Sequence, residues 1–95
     1  MAASTARIPF LLELQNDLLG GLTTTVVVPL YDAGAITGPA IRDLTPVLEF
    51  DHRSVVMMTP ELAGLDRKRL ARPIGDLRHR RSEIIAALDI LFTGI

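Results

Sequence analysis

Apolar and polar positions divide the chain into short apolar runs separated by turn residues, with one long helical stripe at its end. After the small polar stretch Met1 to Arg7, which has neither strand nor helix periodicity, residues Phe10, Leu11, Leu12 and Leu14 give a predicted strand over Phe10–Gln15. Leu18-Leu19-Gly20-Gly21 then reads as a turn-rich connector. Thr23 to Val28 is an unbroken β-branched run, stiff at χ1 and suited to a pleated sheet, and Pro29 is expected to mark the strand's end or an edge position. Gly34, Gly38, Pro39 and Pro46 make Tyr31 to Pro46 mostly connection, with a helical turn expected near Ala40–Leu44.

Two further apolar runs, Val47–Phe50 and Val55–Thr59, flank the polar residues Asp51-His52-Arg53-Ser54, which predicts an antiparallel hairpin with a four-residue loop. Pro60 to Ala63 reads as a turn, and Gly64 separates it from Leu65–Ala71. That segment is ambiguous, because Asp66 to Arg69 is polar throughout and fits a strand only as an edge protected by charge. The final helix is expected from Asp76 or Leu77, with Asp76 capping its free N–H groups. Leu77, Ile84, Leu88, Leu91 and Ile95 form its apolar stripe, Ile85 and Phe92 widen that stripe, and Gly94 breaks the helix. The pattern predicts a mainly β chain with one C-terminal α-helix, a single domain over residues 1–95.

A chain of 95 residues, 48% of them hydrophobic, builds one modest core, and dimerisation is a common way to extend such a core. The absence of Cys excludes disulfides and thiolate metal sites and fits a reducing compartment. Glu13 interrupts the apolar run that begins at Ile8, and no apolar run approaches the ~20 residues needed to span a bilayer, so a cytoplasmic protein is expected. Charge is polarised: residues 1–66 hold three Arg and eight carboxylates, whereas residues 67–95 hold seven Arg or Lys and three carboxylates. A basic C-terminal third suits a solvated face, a nucleic acid or an acidic protein segment.

Candidate chemistry is sparse. His52 and His79 have no second ligand at a metal-binding spacing, so no metal or cofactor is expected. His52, Ser54 and Asp51 crowd one turn without a nucleophile elbow, and Gly20-Gly21 lacks the Lys and hydroxyl of a phosphate loop. Arg67, Arg69 and His79 leave open a metal-independent endoribonuclease. Phe92-Thr93-Gly94-Ile95 either completes the core face of the helix or presents an apolar tip to a partner, and periodicity cannot decide between them.

Specific residues resemble a known family. Phe10-Leu11-Leu12-Glu13-Leu14-Gln15-Asn16-Asp17-Leu18-Leu19, followed by Val26-Val27-Val28-Pro29-Leu30, is similar to the opening of CcdB-type toxins. Val55-Val56-Met57-Met58-Thr59 resembles their Met-rich strand, and Asp76 to Arg80 with Ile84, Ala87 and the closing Phe92-Thr93-Gly94-Ile95 resembles their last helix. The resemblance implies an SH3-like barrel of antiparallel strands with a C-terminal helix. Its first strand is in question, because Met1–Arg7 corresponds only to the loop after it: either Met1 is an internal methionine of a longer gene product or this copy has lost the strand.

The resemblance further implies a homodimeric, non-enzymatic toxin of a type II toxin–antitoxin module. Such a toxin binds the A subunit of DNA gyrase and traps it on cleaved DNA. A cognate antitoxin neutralises it, and operator DNA is met only through the toxin–antitoxin complex that represses the operon. The implied gyrase-binding residues are Leu18, Asp89, Phe92, Thr93, Gly94 and Ile95, with Thr93 standing where the best-known plasmid toxins carry Trp. Two other readings accompany this one: the endoribonuclease on the same fold, and a degenerate toxin that keeps only antitoxin binding.

Overall fold

The computed structural model describes residues 7–14, 23–36, 41 and 43–94. Five antiparallel strands are described: β1 (Phe10–Glu13), β2 (Thr24–Asp32), β3 (Val47–Phe50), β4 (Arg53–Met57) and β5 (Ala63–Asp66). Among the described residues one long helix, α1 (Arg81–Thr93), follows them. The sheet runs β1-β2-β4-β3, and β5 pairs with the first half of β2 on the side that β4 occupies further along. Sharing β2 between β4 and β5 curls the sheet into a half-barrel, and α1 packs against its concave core and against the 3₁₀ turn Thr59–Glu61. The expected mainly β architecture with one C-terminal helix is therefore what the chain adopts.

β2 runs through Pro29 to Asp32, whereas Pro29 was expected to mark the strand's end or an edge position. The reason is the direction in which the missing N–H would point. The Pro29 carbonyl accepts from Met58 N–H at 3.1 Å, on the side facing β4 and β5. There β5 ends its pairing at Val27↔Ala63 and β4 begins at Leu30↔Met57, so the proline nitrogen falls in the gap and removes no ladder bond. Toward β1, Leu11 and Pro29 sit opposite one another. Gly64, expected to separate elements, instead lies inside β5 opposite Val26.

The hairpin loop is shorter than the expected four residues. Phe50 pairs with Arg53 and Glu49 with Ser54, leaving Asp51-His52 as a two-residue turn. Both have positive φ, 54° and 60°, the signature of a type I′ turn whose twist matches the flanking strands. Asp and His visit this region more readily than most non-glycine residues. Asp32 caps a 3₁₀ turn at Ala33–Ala35 by accepting from Gly34 N–H, and Asp66 caps another at Arg67–Arg69 by accepting from Lys68 N–H. The ambiguous segment is thus a strand up to Asp66 and a 3₁₀ turn after it. Where a helical turn was expected near Ala40–Leu44, the described residues form a hydrogen-bonded turn and no helix: Ile41 C=O accepts from both Leu44 and Thr45 N–H, and Asp43 has a left-handed φ of 66°.

The core contains Val28, Leu30, Leu48, Val55, Met57, Leu77 and Ala87, with Phe10, Leu12, Leu14, Phe50, Leu62 and Ile84 packed around it. Phe10 and Phe50 meet edge to face with centroids 5.0 Å apart. From Leu70 to Leu77 the chain crosses this aromatic pair in no regular structure. It passes so close that a Cβ on Gly75 would lie 2.7 Å from two carbons of the Phe50 ring, and this approach requires glycine.

Candidate functional site: the outer face of the terminal helix

α1 begins later than the sequence suggests. Asp76 Oδ1 accepts from Arg78 N–H at 3.1 Å, as a cap should, but the turn that follows, Arg78–Arg80, is 3₁₀, and α-helical bonding starts at Arg81. Arg80 grips Glu83 with two guanidinium nitrogens and extends toward the Val47 carbonyl at 3.4 Å, tying the helix start to the edge of β3. The hydrogen bond from Arg80 holds the Glu83 carboxyl below the usual carboxylate range and the Arg80 guanidinium above its ordinary value.

Which helical face is buried is the decisive observation. Ala87 is fully buried, Ile84, Leu88, Ile90 and Leu91 are half-buried, and Arg81, Ile85, Ala86, Asp89, Phe92 and Thr93 are exposed. Ile85 and Phe92, expected to widen the core stripe, are instead 42% and 72% exposed. The spacing of Ile85, Asp89 and Phe92 is i, i+4, i+7, which places them on one outward stripe. A helix whose packing residue is alanine sits close to the sheet, and a ring seven residues past Ile85 cannot reach around it to the core. Phe92 therefore does not complete the core face of the helix in this chain.

The tip is built tightly. Gly94 adopts a left-handed conformation with φ 75° and ψ 16°, and its N–H donates to the Ile90 carbonyl at 2.9 Å. A Cβ there would touch nothing within 4 Å, so the constraint on Gly94 is backbone conformation and not space. Thr93 Oγ1 donates to the Asp89 carbonyl at 2.5 Å, so its hydroxyl is used within the helix. Asp89, Phe92, Thr93 and Gly94 therefore share one end of α1. Leu18 and Ile95 lie outside the described residues. Ile85 was misassigned from sequence, although its helical register with Asp89 and Phe92 was visible there.

Of the residues suggested for catalysis, Arg67 is engaged in an ion pair and Arg69 and His79 are exposed. Arg67 Nη1 is bound to Glu13 Oε2 at 3.0 Å, and that carboxylate oxygen also accepts from Thr25 Oγ1 at 2.7 Å, so Arg67 clamps β5 to β1 and β2. His79 is exposed in the 3₁₀ turn before α1, and His52 is exposed in the hairpin turn. Among the described residues no group of three His, Cys, Asp or Glu could hold a metal ion, and no helix is long and apolar enough to cross a membrane. The curled antiparallel sheet with its terminal helix accompanies a family match: the family model described as CcdB protein aligns with residues 1–94, and the chain belongs to the CcdB family of toxin–antitoxin toxins.

Proposed function

We propose that the protein is the toxin of a type II toxin–antitoxin module and acts by binding the A subunit of DNA gyrase, trapping the enzyme on cleaved DNA without catalysing a reaction. The observation that carries this reading is the exposed stripe ending in Phe92 beside the left-handed Gly94. A large aromatic side chain that is 72% exposed on a soluble helix loses favourable burial until a partner covers it. Rigid aromatic anchors of this type dominate interface energetics. Phe92 supplies that anchor next to Thr93, where plasmid relatives carry Trp, and Asp89 adds a charged neighbour one turn earlier. Leu18 and Ile95 complete the proposed gyrase-binding set.

The protein acts in the cytoplasm as a homodimer, in which two copies of the tip offer a symmetric surface to a two-fold target. A cognate antitoxin neutralises it, and together they repress their operon, operator DNA being contacted only through that complex. The test is induction of the gene in antitoxin-free cells carrying either ordinary gyrase or a gyrase A subunit substituted in its toxin-binding region. Growth arrest that the gyrase substitution relieves supports the reading. Arrest that is identical in both strains overturns it, and accompanying transcript cleavage would point to the endoribonuclease alternative. Absence of any arrest would identify a degenerate toxin.

A further inference from the structure

We propose that the exposed arm from Arg67 to Arg81 is a second binding surface, separate from the helix tip, for a short acidic protein segment that carries an apolar residue. These 15 residues hold seven Arg or Lys against one carboxylate, a net charge of +6, while the rest of the chain carries three cations and ten carboxylates, net −7. The charge is therefore concentrated in one continuous stretch: the 3₁₀ turn Arg67–Arg69, the irregular segment through Leu77, the turn Arg78–Arg80 and the first residue of α1.

Four carboxylates on or beside the arm are already engaged. Asp66 and Asp76 cap backbone N–H groups of Lys68 and Arg78, and Glu83 holds Arg80. Glu13 holds Arg67. Lys68, Arg69, Arg72, Arg78 and Arg81 are exposed and make no ion pair among the described residues. Five cations within fourteen residues of chain, unpaired among the described residues, raise the local potential and attract an anionic segment. Four of the five are Arg, whose planar fork binds carboxylates in pairs of parallel bonds.

Two observations favour a peptide over a nucleic acid. Ile74, between Arg72 and Arg78 in the sequence, is 71% exposed, and phosphate backbones offer nothing to cover it. A duplex carries one charge per ~1.7 Å and extends beyond so short an arm, which brings phosphates against a remainder of net charge −7. A short peptide follows the arm alone. The arm is also ordered before binding: Leu77 is buried, Leu70 is half-buried, and Gly75 rests on the Phe50 ring, which lowers the entropy cost of docking. Because the arm leads into the N-terminus of α1 and the tip closes its C-terminus, the 13-residue helix holds the two surfaces about 20 Å apart, and both can be occupied at once. This surface does not depend on the identity of the tip's target.

The probe is a fluorescein-labelled synthetic 16-mer of four Glu-Glu-Leu-Asp repeats, followed by anisotropy with the purified full chain. Expected are micromolar binding at low salt, at least tenfold weaker binding by the Arg72→Glu/Arg78→Glu double variant, several-fold weaker binding by Ile74→Ser, and unchanged binding by Phe92→Ala. Unlabelled duplex DNA of 20 base pairs is expected to compete poorly. Unchanged binding by the double variant, loss of binding in Phe92→Ala, or displacement by duplex at lower concentration than by unlabelled peptide overturns the proposal. Should circular dichroism show the double variant unfolded, Arg69→Ala/Arg72→Ala, on exposed positions outside the helix, takes its place under the same criteria.

Discussion

Replacing Gly75 with Ala tests how the irregular segment before α1 is held against the sheet. The new Cβ would lie 2.7 Å from Cε1 and Cζ of Phe50, whereas carbon atoms settle at ~3.5–4.0 Å, so the ring must retreat by roughly 1 Å. Retreat is resisted, because Phe50 packs edge to face on Phe10 and both border the core. Overpacking of this kind costs about 1–3 kcal/mol. Gly75 has no left-handed φ, so alanine also restricts the unfolded chain and returns about 0.4–1 kcal/mol. The net expectation is a loss of about 1–2 kcal/mol, or a Tm lower by roughly 5–15 °C for a chain of this size. Thermal unfolding at one fixed protein concentration measures it, since the dimerisation proposed above would make Tm concentration-dependent. The same substitution in a Phe50→Leu background removes the ring tip, and a coupling of at least about 0.5 kcal/mol should appear. Equal costs in both backgrounds, or a stabilised Gly75→Ala protein, would refute the packing argument.

Other outcomes follow from the same geometry. His52→Gly relieves a positive φ of 60° in the type I′ turn and should stabilise the fold by about 0.5–1 kcal/mol, read as a raised Tm or denaturation midpoint. Tyr31 is the only tyrosine, and its hydrogen bond to Glu61, with smaller contributions from burial and the carboxylate charge, raises its pKa above 10.0. Ultraviolet titration should therefore show phenolate forming later than in a model peptide, and earlier again in Glu61→Leu. A raised acid pKa favours the protonated folded state, so this contribution is present below the unfolded value and declines as pH climbs through the folded one. Gly94→Ala should destabilise the helix end by about 1 kcal/mol through its left-handed backbone alone, because its Cβ meets no neighbour.

Strands built from Thr24–Val28 and the Val47–Met57 hairpin were legible because β-branched runs and a polar break leave few alternatives. What escaped the sequence depended on direction. Pro29 stays inside β2 because its nitrogen faces the gap between two partner strands, a fact of pairing and not of composition. Asp51-His52 forms a two-residue turn without the glycine that usually announces one. The helix was legible, but whether Phe92 finishes the core face was not, and Ile85 reads as part of the apolar stripe, since α1 is apolar on more than one face and periodicity cannot say which face meets the sheet. The choice of a small residue, Ala87, as the buried contact fixed that orientation only in three dimensions. Of the candidate binding set, Asp89, Phe92, Thr93 and Gly94 converge at one helix end, whereas Leu18 and Ile95 fall outside the described residues.

The central claim, that the exposed tip of α1 is the surface that engages gyrase, is tested most directly by calorimetric titration of the dimerisation region of the gyrase A subunit with the protein and with Phe92→Ala. Phe92 is 72% exposed, so its truncation should leave Tm nearly unchanged. An interface anchor is worth about 2 kcal/mol or more, so binding should weaken roughly 30-fold or more in a variant that remains folded. Equal affinity of the two proteins, or no binding by either, would contradict the account.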